Sequence, residues 1–194
     1  MKTLMIAAAA LMLAAPAHAA DPSWRDYKGV SNTSFIEPRG DRSLQLSIDL
    51  DAPPAAVFAL FTTSEGFASW ATPVARVDLR VGGSIEASYD AKAKFGDPDN
   101  IINRIEAYIP GRLLVIRNVQ APRALPSREL FGRTVTAMEF AALPGNRTRL
   151  TLTNAGYGKD PGFDALYKHF EWGNAYTLDR LRQRIDAGHA LAMK

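Results

Sequence analysis

Cysteine is absent from this 194-residue chain, and histidine occurs only three times, as His18, His169 and His189. The absence of cysteine excludes disulfide frameworks, cysteine-ligated zinc, iron–sulfur clusters and thiol catalysis. A metal site built from three histidines would need every histidine in the chain. We therefore expect neither a metal site nor a cofactor.

An excess of charge of one sign is also lacking, because 23 Lys and Arg residues face 20 Asp and Glu residues. Arg180, Arg182 and Arg184 alternate with apolar or acidic neighbours, which is typical of a solvated face. A nucleic-acid-binding protein would show a clustered basic stripe with several phosphate contacts. We expect no nucleic-acid partner.

No hydrophobic run is long enough to span a membrane, since the apolar run at 4–13 falls short of the ~20 residues required. The run follows Lys2 and precedes small residues, with Ala17 and Ala19 at the positions that a signal peptidase reads. This pattern predicts a signal peptide over 1–19, cleaved after Ala19. We expect a periplasmic or secreted protein without a stable membrane anchor.

The segment 20–42 contains proline and glycine without a clear period, and predicts a loosely structured N-terminal extension. Its aromatic residues Trp24, Tyr27 and Phe35 are expected to hold it against the domain surface. The folded domain is predicted over 43–188.

Alternation of apolar and polar residues predicts a first strand over 43–51 and further strands between 74 and 154. Two short helices, 55–61 and 64–70, are predicted between them, the second with Ser64 as N-cap. The segment 121–133 is predicted to be a long loop or a short lid.

A long helix is predicted from Asp160-Pro161 to a C-cap at Gly188. At 100° per residue, its apolar residues share one face, with Asn174 among them and His169, Trp172 and Tyr176 on the opposite side. The apolar face contains Phe163, Leu166, Tyr167, Phe170, Leu178, Leu181 and Ile185. The predicted fold is α+β: a curved antiparallel sheet of about six to seven strands wrapped round this helix, with two short helices after the first strand.

Five segments resemble the helix-grip superfamily of START lipid-transfer domains, pollen-allergen proteins and polyketide cyclases, and most closely its activator of Hsp90 ATPase homologue 1-like branch. They read DAPPAAVFALFTTSEGFASW, RVGGSIEASY, IEAYIPGRLLVIRN, TRLTLTNAGY and WGNAYTLDRL. The branch usually carries a Gly-Trp pair in the last helix, where this chain has Gly173-Asn174. The resemblance implies a helix-grip fold with a ligand cavity between helix and sheet. It is less specific for function, because the family includes both carriers and enzymes.

Seven residues are the candidate lining of that cavity. Phe67 and Trp70 are placed at the entrance, Trp70 equally fitting ordinary core packing, and Phe170 comes from the helix stripe. The polar candidates are Tyr89, Asn118, Asn154 and Asn174, on otherwise apolar faces. Asn154 fits a strand-end cap equally well. Gly173 is expected to let the helix approach the sheet, and the Asn174 amide to bind a ligand or an ordered water.

Candidates for acid–base chemistry are few. Glu106 is expected to pair with Arg104 in solvent, and Glu139 to face outwards because Met138 and Phe140 are the better inward residues. His169 is expected on the helix face away from the sheet. We find no nucleophile–base pair and name no catalytic residue.

The leading hypothesis is an exported protein that binds a small hydrophobic molecule or lipid, without chemistry of its own. An alternative is a cyclase- or hydratase-like enzyme acting on an aromatic or polyketide-like substrate. A third is a protein-interaction module that uses the side of the last helix carrying His169, Trp172 and Tyr176. A cavity lined by neutral amides would favour the binding protein, and a buried titratable group in that cavity would favour the enzyme. An exposed aromatic patch would favour the interaction module.

Overall fold

A computed structural model describes residues 22–192 of the chain, with side chains described up to residue 188. The predicted signal peptide and its cleavage site lie outside the described residues. No helix in the described part of the chain is long and apolar enough to cross a membrane.

Nine antiparallel strands form one sheet in the order β1-β3-β9-β8-β7-β6-β5-β4, and β2 pairs with β3 beside this path. The strands are β1 (Ser31–Asn32), β2 (Phe35–Ile36), β3 (Arg42–Leu50), β4 (Val74–Val77), β5 (Ser84–Ser88), β6 (Ile101–Ile109), β7 (Leu113–Gln120), β8 (Val135–Leu143) and β9 (Arg147–Tyr157). The helices are α1 (Pro54–Thr62), α2 (Ser64–Ala68), α3 (Arg128–Phe131) and α4 (Gly162–Ala192), preceded by a 3-10 turn at Trp24–Asp26. The predicted α+β helix-grip fold is confirmed.

Alternation of side chains puts one face of the sheet in the core. In β3 the residues Leu44, Leu46, Ile48 and Leu50 are buried, and Leu46 lies opposite Leu152 of β9. Successive side chains of a strand point to opposite faces, so the polar residues between them remain on the outer face.

The apolar stripe of α4 packs onto this inner face, with Phe163, Leu166, Leu178 and Leu181 buried. The helix continues to Ala192, so the predicted C-cap at Gly188 is wrong. A glycine inside a helix lowers helix stability by about 1 kcal/mol, which is too little to end the helix by itself.

The N-cap of α2 is Thr63 rather than Ser64. The Thr63 hydroxyl accepts the N–H of Gly66 at 3.0 Å. The Ser64 hydroxyl accepts the N–H of Val77 instead, at 3.0 Å, and so ties the helix to β4. This bond holds α2 at one end of the cavity described below.

The N-terminal extension is more ordered than the sequence predicts. Its strands β1 and β2 pair with β3, raising the strand number to nine. Trp24 and Tyr27 pack against the core as expected, whereas Phe35 is 47% exposed and does not hold the extension down. The prediction of a loosely structured segment is therefore wrong. Strands of two residues are too short to show the alternation of apolar and polar residues by which a strand is recognised in a sequence.

The segment 121–133 contains the short helix α3. Leu130 is buried, and the ring of Phe131 lies 4.6 Å from that of Phe170 on α4, measured between centroids. The segment therefore packs onto the long helix rather than extending into solvent.

Candidate ligand-binding site

A cavity of about 450 Å³ lies between α4 and the inner face of the sheet, bounded by α2 and the segment 121–133. Most of its lining side chains are hydrophobic: Phe61, Phe67, Trp70, Ala71, Ile85, Ala87, Ile101, Ile116, Pro122, Ala124, Leu125, Phe131, Met138, Leu152 and Phe170. The polar ones are Thr72, Tyr89, Asn103, Thr136, Asn154, His169, Asn174, Tyr176, Thr177 and Arg180. A mostly apolar wall with a few placed polar groups, at this volume, is typical of small-molecule sites.

The structure brings six of the seven candidate residues to this cavity. They are Phe67, Trp70, Tyr89, Asn154, Phe170 and Asn174. Tyr89 lies at the mouth and is 68% exposed, so its ring is not part of the buried wall.

Asn118 does not line this cavity, and that prediction is wrong. Its side-chain nitrogen donates to the carbonyl of Gln120 at 2.8 Å and to Oδ1 of Asn103 at 3.1 Å. The register of β6 against β7 shifts between Ile102 and Asn103, and such a bulge displaces side chains from simple alternation. Asn103, which the sequence reasoning missed, lines the cavity in its place.

Trp70 combines the two roles considered for it. It is 4% exposed, its Nε1 donates to the carbonyl of Leu60 at 2.9 Å, and its ring lies 5.1 Å from that of Phe61. Phe67 lies 5.7 Å from the same ring. The entrance aromatics are thus held in place by the core, which leaves the wall preformed.

Three polar residues cross the cavity floor as a chain of hydrogen bonds. The Asn174 side-chain nitrogen donates to Oδ1 of Asn154, whose own nitrogen donates to the Thr136 hydroxyl at 2.6 Å. Asn154 lies within β9, so the strand-end cap considered for it is wrong. The Asn174 nitrogen is bound by the protein itself, while its Oδ1 has no hydrogen-bond partner among the described residues.

A Cβ atom at Gly173 would meet no atom within 4 Å apart from its chain neighbours and the adjacent backbone of its own helix. The expectation that this glycine lets the helix approach the sheet is therefore wrong. Its Cα lies on an open flank of α4 rather than at a close contact.

His169 and Tyr176 line the cavity, contrary to the expectation that they face away from the sheet. Burial lowers the pKa of His169, which favours its neutral form. Tyr176 meets the ring of Tyr27 edge-on at 6.1 Å, and Trp172 is half-buried with its ring 5.7 Å from that of His169. Because His169 and Trp172 are both partly buried, this side of α4 does not form the exposed aromatic patch that the interaction hypothesis requires.

Carboxylates lie elsewhere. Glu106 pairs with Arg104 at 2.7 Å as expected, and Glu139 is exposed. Glu86, which the sequence reasoning missed, is buried on the outer side of β5. Among residues 22–188, no group of three or more acidic or histidine side chains is arranged for a metal ion.

Hydrogen bonds determine the charge state of Glu86. Burial raises the pKa of its carboxyl, but the Gly96 N–H, the Asn100 amide and the Arg76 guanidinium outweigh this and hold the pKa below its usual value. The Arg76 contact measures 2.6 Å and the Asn100 contact 2.8 Å. Glu86 thus anchors the loop after β5 and does not serve the cavity.

Comparisons with known proteins agree with this architecture. The family model for Activator of Hsp90 ATPase homolog 1-like protein matches residues 51–186, and no curated protein matches the chain. The Aha1 dimer from Colwellia psychrerythraea is 18% identical with a TM-score of 0.57, covering 74% of this chain and 95% of that one.

Two other solved structures share the fold. A protein from Rhodobacter sphaeroides has a TM-score of 0.62 and 14% identity, covering 84% of this chain and 99% of that one. DynU16, from the dynemicin biosynthetic locus, has a TM-score of 0.55 and 17% identity, covering 75% of this chain and 48% of that one. At these identities the likeness concerns the fold alone.

Proposed function

Since the chain belongs to the Activator of Hsp90 ATPase homolog 1-like family, we propose that it is an exported protein that binds a small hydrophobic molecule in the cavity between α4 and the sheet. The family's helix-grip fold fits a ligand-binding or a cyclase-like role. The choice between them depends on what lines the cavity.

The cavity itself carries the proposal. Its volume of about 450 Å³ lies in the range of small-molecule sites, and apolar side chains from the sheet, α4 and the segment 121–133 enclose it. Burying apolar ligand surface against such a wall is favourable by roughly 25 cal/mol per Å² before the costs of association.

The charged groups favour binding over catalysis. No Asp or Glu is among the described residues that line the cavity. The buried carboxylate Glu86 is engaged by Arg76, Asn100 and Gly96 outside it. A general acid or base must reach the reacting atoms, which Glu86 does not do from this position.

The predicted export affects whether the Hsp90 partner in the family's name applies to this chain. A chain with the predicted signal peptide leaves the cytosol, where Hsp90 acts. We therefore propose that this protein works in the periplasm or outside the cell, without an Hsp90 partner and without a membrane anchor after cleavage.

A cyclase- or hydratase-like enzyme is the second candidate, because His169 lines the cavity with a lowered pKa. A neutral imidazole can act as a general base.

Native mass spectrometry of protein purified without detergent from its own cell envelope tests both candidates. A binding protein is expected to carry a noncovalent adduct that organic extraction recovers as a hydrophobic molecule. Incubating that molecule with the protein should return it unchanged; conversion that His169→Asn abolishes would favour the enzyme. Ligand binding would be contradicted if the spectrum showed only the mass of the bare chain and the purified protein took up nothing from a lipid extract of the same cells.

A further inference from the structure

We propose that the ligand is an amphiphile with one carboxylate group, which Arg180 binds at the cavity mouth together with Tyr89 and Tyr176. This inference rests on the proposed function and adds the chemical class of the ligand. It starts from an arginine that the sequence reasoning assigned to a solvated face and that the structure places against the cavity.

The internal contacts of Arg180 leave part of its guanidinium free. Its Nε and one terminal nitrogen donate to the carbonyl of Trp70 at 3.2 and 3.0 Å, and its other terminal nitrogen donates to the Tyr176 hydroxyl at 3.1 Å. A guanidinium has five N–H donors, so two remain, one on each terminal nitrogen. Such a pair can bind the two oxygens of a carboxylate side by side.

The positive charge of Arg180 is not neutralised within the described part of the chain. On the same helix, Arg182 pairs with Asp179 and Asp186 at 2.6 and 3.0 Å. Arg180 forms no ion pair with a described carboxylate, and both of its internal acceptors are neutral. An anionic ligand group would supply the missing partner.

Two phenol groups stand beside this cation. The Tyr176 hydroxyl accepts from Arg180 and keeps its own proton to donate. The Tyr89 hydroxyl has no hydrogen-bond partner among the described residues. Tyr89, Tyr176 and Arg180 all line the same cavity, so one ligand group at its mouth can contact all three.

The N-terminal extension supports this arrangement. Its residue Tyr27 packs edge-on against the Tyr176 ring at 6.1 Å, and the Arg180 guanidinium lies over the same ring, 5.8 Å from its centroid. The region matched by the family model begins only at residue 51. Tyr27 is thus a positioning residue that comes from outside the matched region.

Charge balance favours a carboxylate over a phosphate monoester. One guanidinium neutralises one negative charge, which is what a carboxylate carries, whereas a phosphate monoester carries nearly two at neutral pH. Apart from Arg180, the titratable residues lining the cavity are His169, which burial keeps neutral, and tyrosines.

Calorimetric titration with dodecanoate, 1-dodecanol, dodecylamine and dodecyl phosphate, each below its micellar concentration, tests the proposal on residues 20–194. We expect dodecanoate to bind about ten- to hundredfold more tightly than 1-dodecanol, the range expected of charge-assisted hydrogen bonds. Dodecylamine should bind more weakly than either. Tighter binding of dodecylamine or dodecyl phosphate than of dodecanoate would overturn the assignment.

Variants separate this proposal from the function on which it rests. Arg180→Gln should lower the affinity for dodecanoate to about that for 1-dodecanol, and the exposed control Arg184→Gln should change neither affinity. Tyr89→Phe loses only a hydroxyl without an internal partner, so it should fold normally and reduce the preference severalfold. Equal binding of dodecanoate and 1-dodecanol to the unaltered chain would overturn the carboxylate assignment alone. Binding of none of the four probes would contradict the cavity as a ligand site.

Discussion

At the scale of the single residue, Asn174 shows how a polar group is kept inside an apolar stripe. Its side-chain nitrogen donates to Asn154, which in turn donates to Thr136, so α4 is joined to β9 and β8 across the cavity floor. A buried amide left without a partner costs about 1–3 kcal/mol. The network therefore contributes to stability before any ligand is bound.

Asn174→Leu removes the hydrogen bond that the side-chain Oδ1 of Asn154 accepts from Asn174. We expect it to lower the free energy of unfolding of the ligand-free protein by about 1–3 kcal/mol, because a buried acceptor is left unpaired. Urea unfolding at pH 7 measures this. The exposed substitution Arg184→Leu on the same helix should stay within about 0.5 kcal/mol. Unchanged stability of Asn174→Leu would contradict the structural role of the network.

Glu86 links stability to pH. Its folded-state pKa is lowered from the usual 4.5, so its charged form stabilises the fold above pH 4.5 and this contribution is lost as the pH falls through the lower folded value. Glu86→Gln should cost about 2–3 kcal/mol at pH 7, because charge-assisted hydrogen bonds are lost, and should flatten the acid side of the stability curve.

The matched control for Glu86 is Glu106→Gln, which alters a half-exposed ion pair with Arg104. Exposed pairs contribute about 0–1 kcal/mol, so this variant should change stability little at any pH. Melting temperatures between pH 3 and pH 8 compare the two variants. Equal effects of both would show that Glu86 does not anchor its loop.

At the scale of the element, Gly173 weakens α4 without a packing reason. A methyl group there would meet no atom within 4 Å, and glycine in a helix interior is about 1 kcal/mol less favourable than alanine. We expect Gly173→Ala to raise the free energy of unfolding by about that amount.

Gly66→Ala is the opposite case, since its added carbon would lie 2.5 Å from both the Ala59 carbonyl oxygen and the Thr63 hydroxyl. Crowding of this kind typically costs 1–3 kcal/mol. Urea unfolding of the two variants should therefore give shifts of opposite sign. A destabilising Gly173→Ala would show that α4 does need close approach at this level.

Long periodic elements were predictable from the sequence for a physical reason. A strand such as β3, with Leu44, Leu46 and Ile48 in the core, alternates because one of its faces is buried. The same holds for the stripe of α4 at its own period. The two-residue strands β1 and β2 are too short to show a period, and they form by pairing with β3.

The cavity was less predictable because it depends on contacts between elements. Asn118 has the parity of a residue on the inner face. The register of β6 against β7 shifts beside it, and its side-chain nitrogen donates to three acceptors in these two strands. His169, Tyr176 and Arg180 lie on a flank of α4 that a helical wheel assigns to solvent. They line the cavity because α2 and the segment 121–133 extend its wall along this flank of α4. No local pattern encodes that extension.

At the scale of the whole molecule, compartment decides which partners the protein can meet. Residues 1–19 predict a signal peptide, and we expect the mature chain to begin at Ala20. Intact-mass measurement of protein from the periplasmic fraction should give the mass of residues 20–194. An uncleaved chain in the cytosol would contradict export and would restore Hsp90 as a partner to test.

The cavity as a preformed binding site is the central claim, and titration with the neutral probe N-phenyl-1-naphthylamine tests it most directly. The account predicts saturable fluorescence enhancement with one probe per chain. Ala87→Phe, on the cavity wall, should abolish it, whereas Ala141→Phe, at an exposed position of β8, should not. Melting curves verify that both variants fold. Absence of saturable binding to the unaltered chain, or equal binding to a folded Ala87→Phe variant, would contradict the claim.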